Sequence, residues 1–399
     1  MASSNTLLTP TVIAKEALMM LTNNLGMSRH VYTAYKNEFV KVGQTITVRK
    51  PNKFRATKTQ ARSNTNLAEP STSITMSTQA HVSWAFSSVD LTTTIEDYSK
   101  RYIEPAAAAL ANQVDADLCA LYKDIYNYAG TPGTTPSTFK SLGDAQTILD
   151  LEAAPQEGRV AIVEPTANWS LADGLKGTFA PNVAKDIITK GYLGTIANLS
   201  IYMDQNIQRH TNGHFTTGAT PLMNGATLTG ATSLVTNGWG GSNTVKAGDI
   251  FTVAAVNQVN PMSGQSTGVL KRFAVTANGA DAGADLTINI TPTIKYTGTD
   301  PYDNISALPL TTAALSFVGT EDGIYPQNLV YHPNAFALVT VPIEMPSNVW
   351  GARETDPDAG LSIRIVKMYD IDADEEIIRL DILYGVKTLY PELACRLWG

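Results

Sequence analysis

Charge is scarce in this sequence: Asp, Glu, Lys and Arg make up only 16% of the 399 residues, against roughly 25% in an average soluble domain. Thr, Ser, Asn, Gly and Ala fill the deficit, so much of the surface must be neutral and polar. Such a composition suits β-rich chains that pack against copies of themselves. Cysteine is scarcer still: Cys119 and Cys395 lie far apart, and neither belongs to a CxxC pair. That argues against a disulfide framework and a structural zinc site, and the expectation is two buried thiols in a reducing compartment. Long apolar runs are missing as well. None approaches the roughly 20 residues that cross a bilayer, so no membrane contact is expected. The stretch "MASSNTLLTPTV" has no basic segment followed by an apolar core, and the expectation is synthesis in a cytoplasm without a signal peptide.

What is present is enough apolar residue to build a core, 43% of the chain, at a length suited to two domains or one large domain with an insertion. Residues 9 to 25 read as a short helix. Thr9 can cap it, Pro10 takes the permitted first position, and Ile13, Ala17, Met20 and Leu21 share one face. "VGQTITVRK" reads as a strand. In "SITMSTQAHVSWAF", Ile74, Met76, Ala80, Val82, Trp84 and Phe86 alternate with mostly polar neighbours, so 74–86 would span about 43 Å as a single strand. From Glu104 to Tyr128 the period changes to that of a helix about 37 Å long. Its stripe runs through Leu110, Val114, Leu118, Leu121 and Ile125. Between about Thr211 and Asp322 charge nearly vanishes, turn residues multiply and short strands follow one another. Mixed apolar patterns resume afterwards, so this β-rich block reads as an insertion into a domain that continues beyond it.

The two strands read at the front of the chain bracket its most uneven stretch of charge. Between Glu38 and Glu69 there is no acidic residue, while Lys41, Arg49, Lys50, Lys53, Arg55, Lys58 and Arg62 are all basic, in a chain of net charge −7. Nucleic-acid binders combine such clusters with aromatics or a known module and a basic domain overall. Here the cluster holds one aromatic, Phe54, and the sequence pI is about 5.3. A basic hairpin tip meeting an acidic patch on a neighbouring subunit is the favoured reading, with segment 354 to 381 a candidate for that patch.

Three short motifs invite chemistry and are better explained without it. Gly264, Ser266 and Gly268 match the GxSxG nucleophile elbow, but that motif needs a helix after it, and "VLKRFAVTA" reads as a strand. His210 and His214 have the spacing of two metal ligands, yet Asn212 and Gly213 argue for a loop, and no third ligand is near. Asp370, Asp372, Asp374 and Asp381 fit four positions of a calcium loop, but Glu375 stands where that loop needs glycine. A solvated turn between strands is the simpler account.

Taken in order, four stretches resemble the major capsid (coat) proteins of tailed bacteriophages, of the short-tailed Salmonella phage P twenty-two type. They are "PAAAALANQVDADLCALYKDI", "GYLGTIANLSIYMDQNIQRHTNG", "YPQNLVYHPNAFALVT" and "IRLDILYGVKTLYPELACRL". The resemblance implies an α+β chain of the Hong Kong 97-type (Johnson) capsid fold, with a long spine helix, an extended β-hairpin loop and an inserted all-β domain. It implies an N-terminal arm over 1–41, an extended loop over 42–90 and a peripheral domain over 91–136. It implies an axial domain over 137–221, an inserted β-barrel-like domain over 222–322, and axial and peripheral segments over 323–399. Such a chain is a virion protein that self-assembles as pentamers and hexamers, usually with a scaffolding protein and a portal. It encloses double-stranded DNA without reading its sequence, and it has neither catalysis nor cofactor. Arg49, Lys50, Lys53, Arg55, Lys58 and Arg62 would then mark the loop that lies across an adjacent subunit. The competing readings are a hydrolase using Ser266 and a β-rich tail or adhesion protein.

Overall fold

The structure is a computed structural model, and it describes residues 10–35, 45–56, 58, 60, 62, 70–87, 99–175, 193–215, 220–281, 285–298, 300–347, 349–356 and 361–399. The chain divides into two compact units. One comprises Met1–Val48, Ser71–Leu118 and Phe336–Lys387; the other comprises Arg49–Pro70, Cys119–Ala335 and Thr388–Gly399.

The first unit is built on a five-stranded sheet. At its centre Leu361–Asp370 and Glu375–Thr388 form a long antiparallel hairpin, with Trp350–Asp356 against the first strand and Thr78–Ser87 against the second. One face carries Ile363, Ile365, Ile378, Leu380 and Ile382, all buried. Helix α1 (Pro10–Asn24) packs on the strands Trp350–Asp356 and Leu361–Asp370. Its buried face is Ile13, Ala14, Ala17, Leu18 and Leu21, while Met20 is half-buried. The proposed cap Thr9 lies outside the described residues. Helix α2 (Glu104–Cys119) anchors the chain that leaves α1. Its buried Asp115 accepts hydrogen bonds from the amides of Gly26 (2.7 Å) and Ser28 (2.9 Å) and from the Ser28 hydroxyl. A carboxylate from another helix thus satisfies backbone donors that would otherwise be orphaned at the turn.

Two sequence expectations are corrected here. The stripe from Glu104 to Tyr128 is not one helix: α2 ends at Cys119, Ala120–Asp124 is a 3₁₀ turn, and Ile125 is extended. The tighter turn advances each residue by about 120° rather than 100°. As a result Tyr122 enters the core while Leu121 stays half-exposed; Leu110, Val114, Leu118 and Ile125 are buried. Likewise, 74–86 is two strands with different partners. Ser71–Thr75 joins Thr45–Arg49 in a two-stranded ribbon, whereas Thr78–Ser87 pairs with Glu375–Thr388. The break falls where Gly385 passes. A Cβ there would stand 2.6 Å from the Thr75 carbonyl oxygen and 3.1 Å from the Met76 sulfur.

On the opposite face of the sheet, Asp381 is fully buried. Arg364 and Arg379 donate to it at 2.7 Å and 2.6 Å, and Gln79 at 3.1 Å. Burial alone would raise its pKa, but these donors outweigh burial and hold it below the ordinary 3.8.

The second unit contains two sheets with separate cores. In the host sheet the strand order is Tyr128–Ala129, Ala394–Leu397, Asn328–Tyr331, Arg159–Val163, Leu199–Met203 and Thr195–Ile196. Helices α3 (Phe139–Leu151) and α4 (Pro165–Leu175) accompany it. Thr138 caps α3 by accepting from the Ser141 amide, and the Ser141 hydroxyl accepts in return from the Thr138 amide, both at 3.2 Å. Leu142, Leu149, Leu171, Ile201, Val330 and Leu397 meet in this core. Cys119 and Cys395 are both buried and form no disulfide, and burial pushes the Cys395 thiol up to about 12.

The inserted domain is all β. Its six-stranded sheet runs Leu315–Phe317, Ile250–Val259, Ser266–Val275, Leu286–Thr291, Ser233–Asn237 and Leu222–Met223. Alternation places Leu286, Ile288 and Ile290 inside. Phe251 packs on Phe273 and Phe317 with ring centroids 5.7 Å and 5.3 Å away. A two-stranded neck, Arg209–Thr211 against Ile324–Pro326, carries the chain in and out.

Candidate assembly surface

The basic stretch divides into a held root and an exposed tip. At the root, the Lys50 amide continues the ribbon by donating to the Pro70 carbonyl (2.8 Å), and the Lys50 ammonium lies 4.7 Å from the centre of the Tyr390 ring. Burial, more than neighbouring Lys53, lowers the Lys50 pKa, with Glu392 opposing. The Lys53 amide donates to the Tyr302 hydroxyl (3.2 Å), which in turn donates to Asn52 Oδ1 (3.2 Å). Arg55 donates to the carbonyls of Asp300 (2.8 Å) and Asp303 (3.5 Å). Tyr302, Asp300 and Asp303 all belong to the inserted domain. The side chains of Lys53, Lys58 and Arg62 are exposed, as are Arg49 in the ribbon strand and Phe54 at 65%.

Exposed acidic groups concentrate at the turn of the long hairpin in the first unit. Asp372 and Asp374 are exposed there, and Ile371 between Asp370 and Asp372 is 82% exposed. Beside them Val366, Met368, Tyr369, Ile371 and Ile377 line an apolar hollow of about 450 Å³, with Asp370 and Arg379 at its edge. Of the four aspartates in the calcium-loop pattern, Asp381 is thus in the sheet, away from the solvated turn. The pattern was a coincidence of spacing.

The other motifs resolve in the same way. Ser266 is exposed and opens the strand Ser266–Val275, with its hydroxyl accepting from the Gly268 amide at 3.3 Å. A strand follows it, so the elbow is absent. His210 and His214 serve different partners. His210 is buried, with Nε2 2.7 Å from Asp249 Oδ1 and Nδ1 3.1 Å from the Tyr122 hydroxyl. His214 is exposed and pairs with Asp322 at 2.6 Å, chiefly through a hydrogen bond that raises its pKa above the ordinary 6.5. Among the described residues no group of three His, Cys, Asp or Glu could hold a metal ion.

Sequence reasoning missed the residues that join the insert to its host. Lys271, on the insert, pairs at 2.7 Å with Glu152 at the end of α3, and both are buried. Its ammonium also sits 4.7 Å from the centre of the Tyr126 ring, and burial holds that tyrosine well above its ordinary pKa. Arg396, buried in the host sheet, donates to the Gly248 carbonyl of the insert (2.7 Å) and lies 5.1 Å from the Tyr122 ring centre. Burial lowers its pKa to about 10. The one available signal was Lys271 itself, a charge at an inward position in "LKRFAV".

A helix-backed antiparallel sheet, a two-stranded ribbon and an inserted β-domain make up an α+β fold of the Hong Kong 97 capsid type. More particularly, the chain belongs to the P22 coat protein family, described as P22 coat protein, gene protein 5, whose family model matches residues 1–399. It is a major capsid protein, a structural and non-enzymatic component of the virion that self-assembles into a shell. Solved structures are similar to this chain over most of its length. One from Mycobacterium phage Che8 is 14% identical over 93% of this chain and 89% of that chain, with a TM-score of 0.50. The capsid of Ralstonia phage GP4 is 10% identical over 94% and 89%, with a TM-score of 0.45. A virus-like particle from Pyrococcus furiosus is 8% identical over 96% and 97%, with a TM-score of 0.42. The search of curated proteins finds no match.

Proposed function

We propose that this coat protein forms the pentamers and hexamers of an icosahedral shell, assembling with a scaffolding protein and a portal after synthesis in the host cytoplasm. Double-stranded DNA is its contents and not its ligand, as the net charge of −7 favours. The parts we assign are an arm over 1–41, an extended loop over 42–90 and a peripheral domain over 91–136. Axial segments follow over 137–221, the insert over 222–322, and the remaining axial and peripheral segments over 323–399. As the spine-helix core we assign Leu110, Val114 and Leu118 of α2, with Ile125 buried beyond the 3₁₀ turn and Leu121 left half-exposed.

The observation that carries the intersubunit reading is the exposure of Lys58 and Arg62 in a loop whose root is held, opposite in charge to the exposed turn at Asp372 and Asp374. Of the six basic residues assigned to this contact, Lys58 and Arg62 are the ones we place in direct reach of a neighbour; Arg49, Lys50, Lys53 and Arg55 support them. Exposed pairs contribute only about 0–1 kcal/mol each, but a shell repeats every contact. Reversing Lys58 and Arg62 to Glu should therefore lower shell yield in electron micrographs while the subunit stays folded. Wild-type yield from that variant would sink the contact. Salt-sensitive DNA binding by free subunits would instead point to a nucleic-acid role for the loop.

A further inference from the structure

We propose that the inserted domain is a clasp for the root of the extended loop, and that Arg55 is its positioning residue. Two turns of the insert form the receiving site, and each is braced from within. In the turn 260–265, Asn260 Oδ1 accepts from the amides of Met262 (2.8 Å) and Ser263 (3.2 Å), and the Gly264 amide donates to the Asn260 carbonyl (2.9 Å). In the loop 297–303, Asp303 Oδ1 accepts from the Thr297 amide (2.8 Å) and Asp300 Oδ1 from the Tyr302 amide (2.9 Å). The Asp303 amide then closes on the Asp300 carbonyl at 3.1 Å. Two carbonyls are thereby fixed in place before any partner arrives, and the Arg55 guanidinium bridges them.

Gly264 is what lets the arginine in. Its φ is +73°, and a Cβ there would stand 2.8 Å from Arg55 Nη1 and 2.9 Å from Cζ. The guanidinium therefore lies directly over a position that only glycine leaves open. The first glycine of the apparent nucleophile elbow has a use, and it is steric. Tyr302 adds a second hold, since one hydroxyl both accepts from the Lys53 amide and donates to Asn52. A planar, forked donor matches two fixed carbonyls in a way that a lysine ammonium does not. Residues 50–55 are thus secured to the insert, and the exposed Lys58 and Arg62 follow directly on that held root. The insert sets the direction in which the loop leaves, and assembly becomes sensitive to residues of the insert that touch no neighbour.

Arg55→Lys and Tyr302→Phe test this in the full-length chain. Both leave the charge of the loop unchanged, so a contact made through charge alone predicts no effect on assembly. The clasp predicts that the Lys53 amide of the free subunit exchanges faster with solvent, by about fivefold in Tyr302→Phe. Trypsin should also cut faster after Lys58, and shells should form more slowly. Amides of Phe251 and Phe273 should keep wild-type protection, which separates a released root from a damaged insert. Unchanged exchange at Lys53 in both variants would overturn the clasp. So would wild-type assembly rates from a variant whose root is demonstrably released.

Discussion

The host sheet and the inserted domain, side by side in one unit, close their cores in opposite ways. The insert's core comes from one continuous stretch, its buried members running from Met223 to Leu315 with Phe215 and Phe317 packed against them. The host core draws on residues from Ala129 to Ile201 and then waits for Val330, Cys395 and Leu397. Its central strand Asn328–Tyr331 lies between Arg159–Val163 and Ala394–Leu397, so the interior of the host sheet joins segments far apart along the chain. Closing a long loop costs entropy before its contacts repay it; the insert avoids that cost and the host cannot. Where the two meet, the joints are buried polar contacts: Lys271 with Glu152, His210 with Asp249, Arg396 with the Gly248 carbonyl. Apolar surfaces tolerate sliding, whereas these joints fix one orientation.

That contrast can be broken at three strengths. Phe251→Ala should cost the insert about 3–5 kcal/mol and Leu142→Ala the host about 2–5 kcal/mol. In calorimetry each should lower a different transition, and a single transition moved by both variants would abolish the distinction between the cores. Lys271→Met leaves Glu152 buried without its partner and should cost about 3–5 kcal/mol, while adding Glu152→Leu should recover most of that loss. An additive double variant would mean that the joint is not a pair. The smallest effect is at the neck. Because Asp322 raises the His214 pKa, this pair stabilises the folded chain fully below pH 6.5 and loses that contribution as pH rises through the raised value. His214→Gln should flatten the pH dependence of stability on the alkaline side of 6.5, and an unchanged profile in denaturant titrations would discount the pair.

Much of the architecture is legible in the residues because periodicity reports burial. Leu286, Ile288 and Ile290 alternate, and Ile13, Ala17 and Leu21 recur at fours, since each set faces one partner throughout. Partner changes are another matter. Ile74 and Phe86 belong to one unbroken alternation, yet they lie in strands bonded to different neighbours, and alternation carries no mark of which neighbour is meant. The end of α2 was hidden for a similar reason: Leu121 and Ile125 keep a helical spacing through a turn that is not α-helical. The basic stretch was legible as charge and illegible as two functions, because Arg55 binds backbone carbonyls some 245 residues away, and a carbonyl has no sequence signature. Asp115, Lys271 and Arg396 were missed because a buried charge is recognised by its partner, which distance along the chain conceals.

The neck has a consequence for engineering. Thr211 and Ile324 are paired across two antiparallel strands, so the insert departs and returns about 5 Å apart. A foreign module whose own ends meet could be spliced there without stretching the host sheet, and a shell would then display it once per subunit. The splice has a chemical condition as well as a geometric one. The graft would have to present a carbonyl to Arg396, a carboxylate to His210 and an ammonium to Glu152, as Gly248, Asp249 and Lys271 do, or those three host residues would have to be redesigned along with the cargo.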